Sequence, residues 1–191
     1  FCVYPQGYYP QLCITAVSVP GTQIGDVSGN GVRFLDNSRI EGTISSMADQ
    51  AVAFCLRNMK VRTVIDPRTG RRNDRTEYPV EAIREAVLNA LIHRDYSTYT
   101  EGTPVQLDLF TDRLEVHSPG CLYGGMSVEQ LGYAKPELRN PALAVMAEKL
   151  TGAENRYSGI PTMRRAMKEF HLPEPQFENR RDEFVVTFYN T

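Results

Sequence analysis

The chain has no tryptophan, only 3 histidines and only 4 cysteines in its 191 residues. The cysteines stand at 2, 13, 55 and 121 with no C-x-x-C pair, and the histidines at 93, 117 and 171 are far apart. That spacing argues against a structural zinc site and against a disulfide framework. Widely spaced thiols fit a reducing compartment, so the expected location is the cytoplasm. No apolar run approaches the roughly 20 residues that a membrane helix needs, and no membrane partner is expected. Charge of one sign is not in excess either. A net charge of −2 and a pI near 6.0 leave no broadly basic surface for nucleic acid. There is no G-x-x-x-x-G-K-[ST] phosphate loop, no G-x-S-x-G elbow and no D-F-G motif, which excludes the familiar motor, hydrolase and kinase signatures. The opening FCVYPQGYYP carries neither a start Met nor a signal-peptide n-region, and it reads as a point within a longer protein.

What the chain does have is a globular composition, 41% hydrophobic and 23% charged, sized for one ordinary domain with an appended segment. QLCITAVSV (11–19) reads as a strand ended by Pro20-Gly21, and residues 22–40 as a glycine-rich loop with a short extended piece. Residues 43–60 have helical periodicity, with Thr43 or Ser45 as cap. VRTVI (61–65) suits a strand, and the arginine-rich 66–79 a loop. VQLDLF and RLEVHS (105–110, 113–118) alternate about Thr111-Asp112 and predict a hairpin. A glycine-rich loop follows over 118–127, then a short helix after Ser127, helices over 139–150 and 162–170, and a closing strand over 182–190. Hairpin strands with helices gathered around them predict an α+β fold, a mainly antiparallel sheet with helices on one face.

One helix stands out. EAIREAVLNALIHRDY (81–96) is apolar nearly all round, yet Glu81, Glu85, Asn89 and His93 interrupt it every fourth residue. At about 100° per residue they fall in one band of roughly 120°. Asparagine is a mediocre helix former, so its place there needs a reason beyond propensity. Two readings are open. The stripe is either the single wet face of a core helix or an edge where a carboxylate and an amide, one turn apart, offer oxygen ligands to Mg²⁺. Glu85 could equally orient or deprotonate a water in phosphoryl transfer. His93 suits a structural hydrogen bond better than catalysis, and Gly124-Gly125 ahead of Ser127 suits a flexible loop or an anion site at a helix start.

The same stretch resembles the E-x-x-x-N helix of the GHKL ATPase superfamily. It is more similar to the C-terminal domains of transcriptional regulators and RecG-like ATP-dependent DNA helicase-related proteins that carry a Schlafen AlbA-type N-terminal domain. The similarity runs in order through YPQGYYP, EGTI (41–44), EYPVEAIREAVLNALIHRDYS, DRLEVHSPG, RNPALA, SGI (158–160) and FVVTF. The resemblance implies a Bergerat-like two-layer sandwich binding ATP and Mg²⁺, with residues 61–191 as the nucleotide-binding unit. Residues 1–60 would then pack on that core and lead to a missing upstream domain. Glu85 would match the general base and Asn89 the Mg²⁺ ligand. Asp95, Ser118, Gly120, Gly124, Gly125, Gly159 and Ile160 would complete the nucleotide site. DNA would be contacted through the upstream domain, and homo-oligomerisation is left open.

Three positions depart from the superfamily pattern: Ser118 replaces an aspartate, Leu122 a second glycine and Tyr157 another glycine. Its adenine loop reads D-x-G-x-G where this chain has H-S-P-G-C, and Tyr157 stands where its branch has a glycine. The resemblance therefore implies a regulatory ATP-binding domain with weak ATPase activity. The alternative is a degenerate, non-catalytic domain used for dimerisation or partner binding.

Overall fold

The computed structural model describes residues 4–65, 68–151 and 158–191. Tyr157 lies outside the described residues. Eight strands and four α-helices follow one another: β1 (Ile14–Ser18), β2 (Asp36–Ile40), α1 (Ile44–Asn58), β3 (Val61–Ile65), β4 (Arg72–Thr76), α2 (Val80–His93), β5 (Val105–Leu109), β6 (Arg113–Pro119), α3 (Pro141–Thr151), α4 (Gly159–Glu169), β7 (Gln176–Asn179) and β8 (Glu183–Tyr189). Six strands form one sheet in the order β2-β1-β5-β6-β8-β7. Only the β1–β5 pair is parallel. The fold is α+β with a mainly antiparallel sheet, as the hairpin pattern predicts.

The period of two sorts the sheet into an apolar and a polar face. Ile14, Ala16, Val105, Leu107, Leu114, Val116, Val186 and Phe188 are buried and join the core formed with the helices. Helices α1 and α2 rest on this face, and α3 and α4 pack against α2. Residues 36–40, expected as a short extended piece, form the edge strand β2, and with β1 and α1 they belong to the same sheet and core. Thr43 caps α1, its hydroxyl accepting from the Ser46 amide at 3.3 Å. Residues 72–76 form β4 rather than a loop, pairing antiparallel with a β3 that is exposed along its whole length. A strand of Arg, Asn, Asp, Arg and Thr has no apolar alternation to betray it, because it covers no core.

Helix α2 lies at the centre of the molecule. Ala82, Ile83, Ala86, Val87, Leu88, Ala90, Leu91 and Ile92 are all buried. Its C-terminal carbonyls cannot be satisfied within the helix, and side chains from elsewhere meet them. Ser118 Oγ donates to Ala90 O at 3.0 Å, Tyr96 Oη to Leu91 O at 2.6 Å, and Asn140 Nδ2 to Ile92 O at 2.9 Å and Arg94 O at 2.7 Å. Asn140, just ahead of α3, thus spends its amide on the end of α2.

Candidate functional site

The strip of α2 left out of the core is the stripe predicted from sequence. Glu81, Glu85, Asn89 and His93 are the polar positions between the buried ones, and the strip runs along a cleft bounded by α4, the ends of β6 and β8, the 120–139 loop and α3. The enclosed part of this cleft has a volume of about 190 Å³. Glu81 is drawn away to the surface by Arg165 of α4, at 2.7 Å. Glu85 and Asn89 face each other one turn apart, Asn89 Nδ2 donating to Glu85 Oε1 at 3.3 Å. That bond points the Asn89 amide nitrogen at the carboxylate. Burial raises the Glu85 pKa above its ordinary value, and the Asn89 hydrogen bond only partly offsets this.

Gly159 opens α4 directly against this pair. A Cβ on Gly159 would stand 2.4 Å from Glu85 Oε1 and 2.7 Å from Asn89 Nδ2. Only proximity disfavours a side chain there, since the φ of Gly159 lies outside the left-handed range. The amino end of an eleven-residue helix, with its unpaired N–H groups and partial positive charge, thus lies beside a carboxylate and an amide. Helix-terminal N–H groups, a carboxylate and the Asn89 amide nitrogen thus meet at one edge of the cleft.

The cleft brings together Glu85, Asn89, Ser118, Gly120, Gly159 and Ile160. It does not bring in Asp95, Gly124 or Gly125. Asp95 braces the wall from behind: its carboxylate pairs with Arg139 at 3.1 Å, and its backbone N–H donates to Pro119 O at 2.9 Å. Gly120 turns over it at φ +99°, where a Cβ would meet Asp95 Cβ at 2.5 Å. The aspartate of HRDY therefore positions the turn after β6, a role that spacing could not reveal. Gly124 and Gly125 both have positive φ in the exposed loop beyond, Gly124 beside Glu137. Ser118, although in the wall, is buried with its hydroxyl committed to Ala90 O.

Residues 102–188 match a family model described as "Putative ATP-dependent DNA helicase recG C-terminal". The match begins after α2, so Glu85 and Asn89 lie upstream of it. A crystal structure of the DIP2311 protein from Corynebacterium diphtheriae has the same fold as this chain, with a TM-score of 0.75 at 23% identity. The superposition covers 93% of this chain and 34% of that one, so the chain spans about a third of that protein's length. No curated protein matches the chain.

A second cluster of titratable groups was not foreseen. On the polar face of the sheet, ligand atoms of Asp108, Glu115 and His117 all lie within 4.8 Å of one another. His117 bridges Glu115 (Nε2, 3.1 Å) and Glu183 (Nδ1, 3.1 Å), and Asp108 stands 3.8 Å from Nε2. The β5–β6 register places Asp108 opposite Glu115, with His117 two residues further along the same face. Alternation in VQLDLF and RLEVHS carries that signal, but the same alternation marks any solvated sheet face. Burial pushes the Asp108 carboxyl up to about 6, whereas hydrogen bonds from His117 and Arg113 pull Glu115 down to about 2.

Proposed function

We propose that the domain binds Mg·ATP in the α2–α4 cleft and acts as a nucleotide-responsive regulatory unit of a longer DNA-binding protein. The reading rests on one observation above others, the Glu85–Asn89 pair set against Gly159 at the start of α4. The donor set fits a hard divalent ion, with carboxylate and amide oxygens on one side and room for phosphate oxygens and water on the other. When bound, Mg²⁺ would neutralise phosphate charge. Asn89 and Glu85 are the residues that would hold it, and the Gly159 and Ile160 amides at the α4 terminus would meet the phosphates. Glu85, its carboxyl raised above the ordinary value by burial, suits a general base that takes a proton from water in slow ATP hydrolysis. DNA contact belongs to segments beyond this chain. Strand separation is not expected, because no P-loop is present.

A second reading has its own support. The Ser118 hydroxyl is engaged by the α2 backbone, and there is no aspartate at that position to accept from an adenine amino group. This favours a nucleotide-free domain serving dimerisation or partner binding. Calorimetric titration with Mg·ATP, beside Asn89→Ala, separates the two. Binding weakened at least tenfold by Asn89→Ala supports the first reading. Absence of heat and of a thermal shift at millimolar nucleotide rejects it, and binding that survives the substitution rejects the role of Asn89.

A further inference from the structure

A larger cavity lies on the other side of α3. Its volume is about 770 Å³, within the ordinary range for small-molecule sites. Most of its wall is aliphatic, supplied by residues such as Leu12, Ile44, Met47, Leu91, Leu143 and Met146. Two methionines give such a wall an adaptable surface. No aspartate or glutamate lines it, and its one charged residue is Arg94.

Arg94 is out of place in an apolar wall. It is only 2% exposed, and no carboxylate pairs with it among the described residues. Its neighbour Asp95 is engaged by Arg139. Nη2 donates to the carbonyl oxygens of Thr100 and Thr103, Tyr96 lies 5.3 Å from the guanidinium, and buried Nε has no partner. Two carbonyl dipoles anchor the 97–103 loop but do not neutralise a buried positive charge, and such a charge is costly until an anion meets it. The amino end of α1 reinforces the sign. Gly42, Thr43, Ile44 and Ser45 line the same cavity, and the first turn of α1 holds no acidic residue. The first residues of α3, Pro141 and Ala142, line it too. A buried, incompletely partnered guanidinium and two helix amino ends therefore face one aliphatic space.

We propose that this cavity binds an amphiphilic monoanion, a fatty-acid-like carboxylate whose head group pairs with Arg94 and whose chain lies along the aliphatic wall. A planar carboxylate matches the guanidinium in shape and supplies the counter-charge that the two carbonyls do not. A nucleotide is a poor fit, since a polyphosphate would face an aliphatic wall with a single cation. The test is calorimetric titration of the protein with sodium dodecanoate at submicellar concentration, with dodecanol and dodecyltrimethylammonium as probes of matched chain length. Dodecanoate is expected to bind with a stoichiometry of one, at least tenfold more tightly than dodecanol, and the cationic amphiphile not at all. Leu143→Trp fills the cavity without touching the loop anchored by Arg94, and it is expected to abolish binding while leaving the melting temperature within experimental scatter. Arg94→Lys, which keeps the charge but loses the fork, is expected to weaken dodecanoate severalfold and leave dodecanol unchanged. Equal affinity for dodecanoate and dodecanol, binding that survives Leu143→Trp, or no binding of dodecanoate at all would overturn the proposal.

Discussion

Replacing Ser118 by alanine tests whether that hydroxyl serves the fold or the ligand. In the structure it is 6% exposed and donates to Ala90 O at 3.0 Å, tying the end of α2 to β6. Ala90 belongs to the last turn of α2, whose carbonyls depend on outside donors. A hydrogen bond of this kind is worth about 1 kcal/mol net, and leaving a buried carbonyl unsatisfied costs roughly 1–3 kcal/mol. For a chain of this size 1 kcal/mol moves the melting temperature by about 2–4 °C. Ser118→Ala should therefore lower the melting temperature by about 3–8 °C in a circular dichroism melt. Affinity for Mg·ATP, if present, should change less than twofold, because the hydroxyl is already engaged. An unchanged melting temperature together with a tenfold loss of nucleotide affinity would refute the reasoning, and would make Ser118 a ligand contact.

Two further perturbations follow from the same geometry. Gly159→Ala puts a methyl group 2.4 Å from Glu85 Oε1, but the clash is with side-chain ends and the backbone is unstrained. Nucleotide binding should fall at least tenfold while the melting temperature moves by no more than about 2 °C, the cost of roughly half a kcal/mol; unaltered affinity would remove Gly159 from the site. Asp108→Asn addresses the polar face of the sheet. Asp108 titrates at about 6 when folded against an ordinary 3.8, so the folded state holds the proton more tightly. The stability it contributes is complete below pH 3.8 and is lost as pH rises toward 6. The shift corresponds to at most about 3 kcal/mol, lessened in the variant by the lost attraction to His117. Asparagine, which does not ionise, should gain about 3–6 °C over wild type between pH 4 and pH 7; a difference independent of pH would refute the assignment.

The elements that bury apolar surface were legible, because period fixes face. The α2 stripe, the 105–118 hairpin and the closing strand all follow from which residues must leave water. Strand β4 was not legible, since an exposed strand has no apolar face and its five polar residues carry no pattern. The site divided in the same way. Glu85 and Asn89 declare themselves as polar intrusions on an apolar helix, and the close approach of Gly159 agrees with them. Asp95 and Ser118 do not, because their partners (Arg139 and Pro119 O for the first, Ala90 O for the second) are brought in only by the folded chain. A motif shows that such a residue matters locally, but only the folded chain shows what it holds.

These two residues also explain how the α2–α4 edge and the 118–122 turn can vary independently. The α2–α4 edge is built from side chains that need nothing from the 118–122 turn. Glu85 bonds Asn89, and Gly159 abuts both. The turn is held separately, by Ser118 on Ala90 O, by the Asp95 amide on Pro119 O, and by Arg139 through both Asp95 and Cys121 O at 2.8 Å. Changes in the turn can therefore alter what the cleft accepts at its far end without disturbing the pair on α2. Phosphate and metal binding should depend on the first set and base selectivity on the second. Comparing ATP with GTP and inorganic triphosphate in the same calorimetric titration measures that separation: similar affinities for all three would assign binding to the Glu85–Asn89–Gly159 edge alone, whereas a tenfold preference for ATP would show that the Ser118–Gly120 turn reads the base despite its missing aspartate.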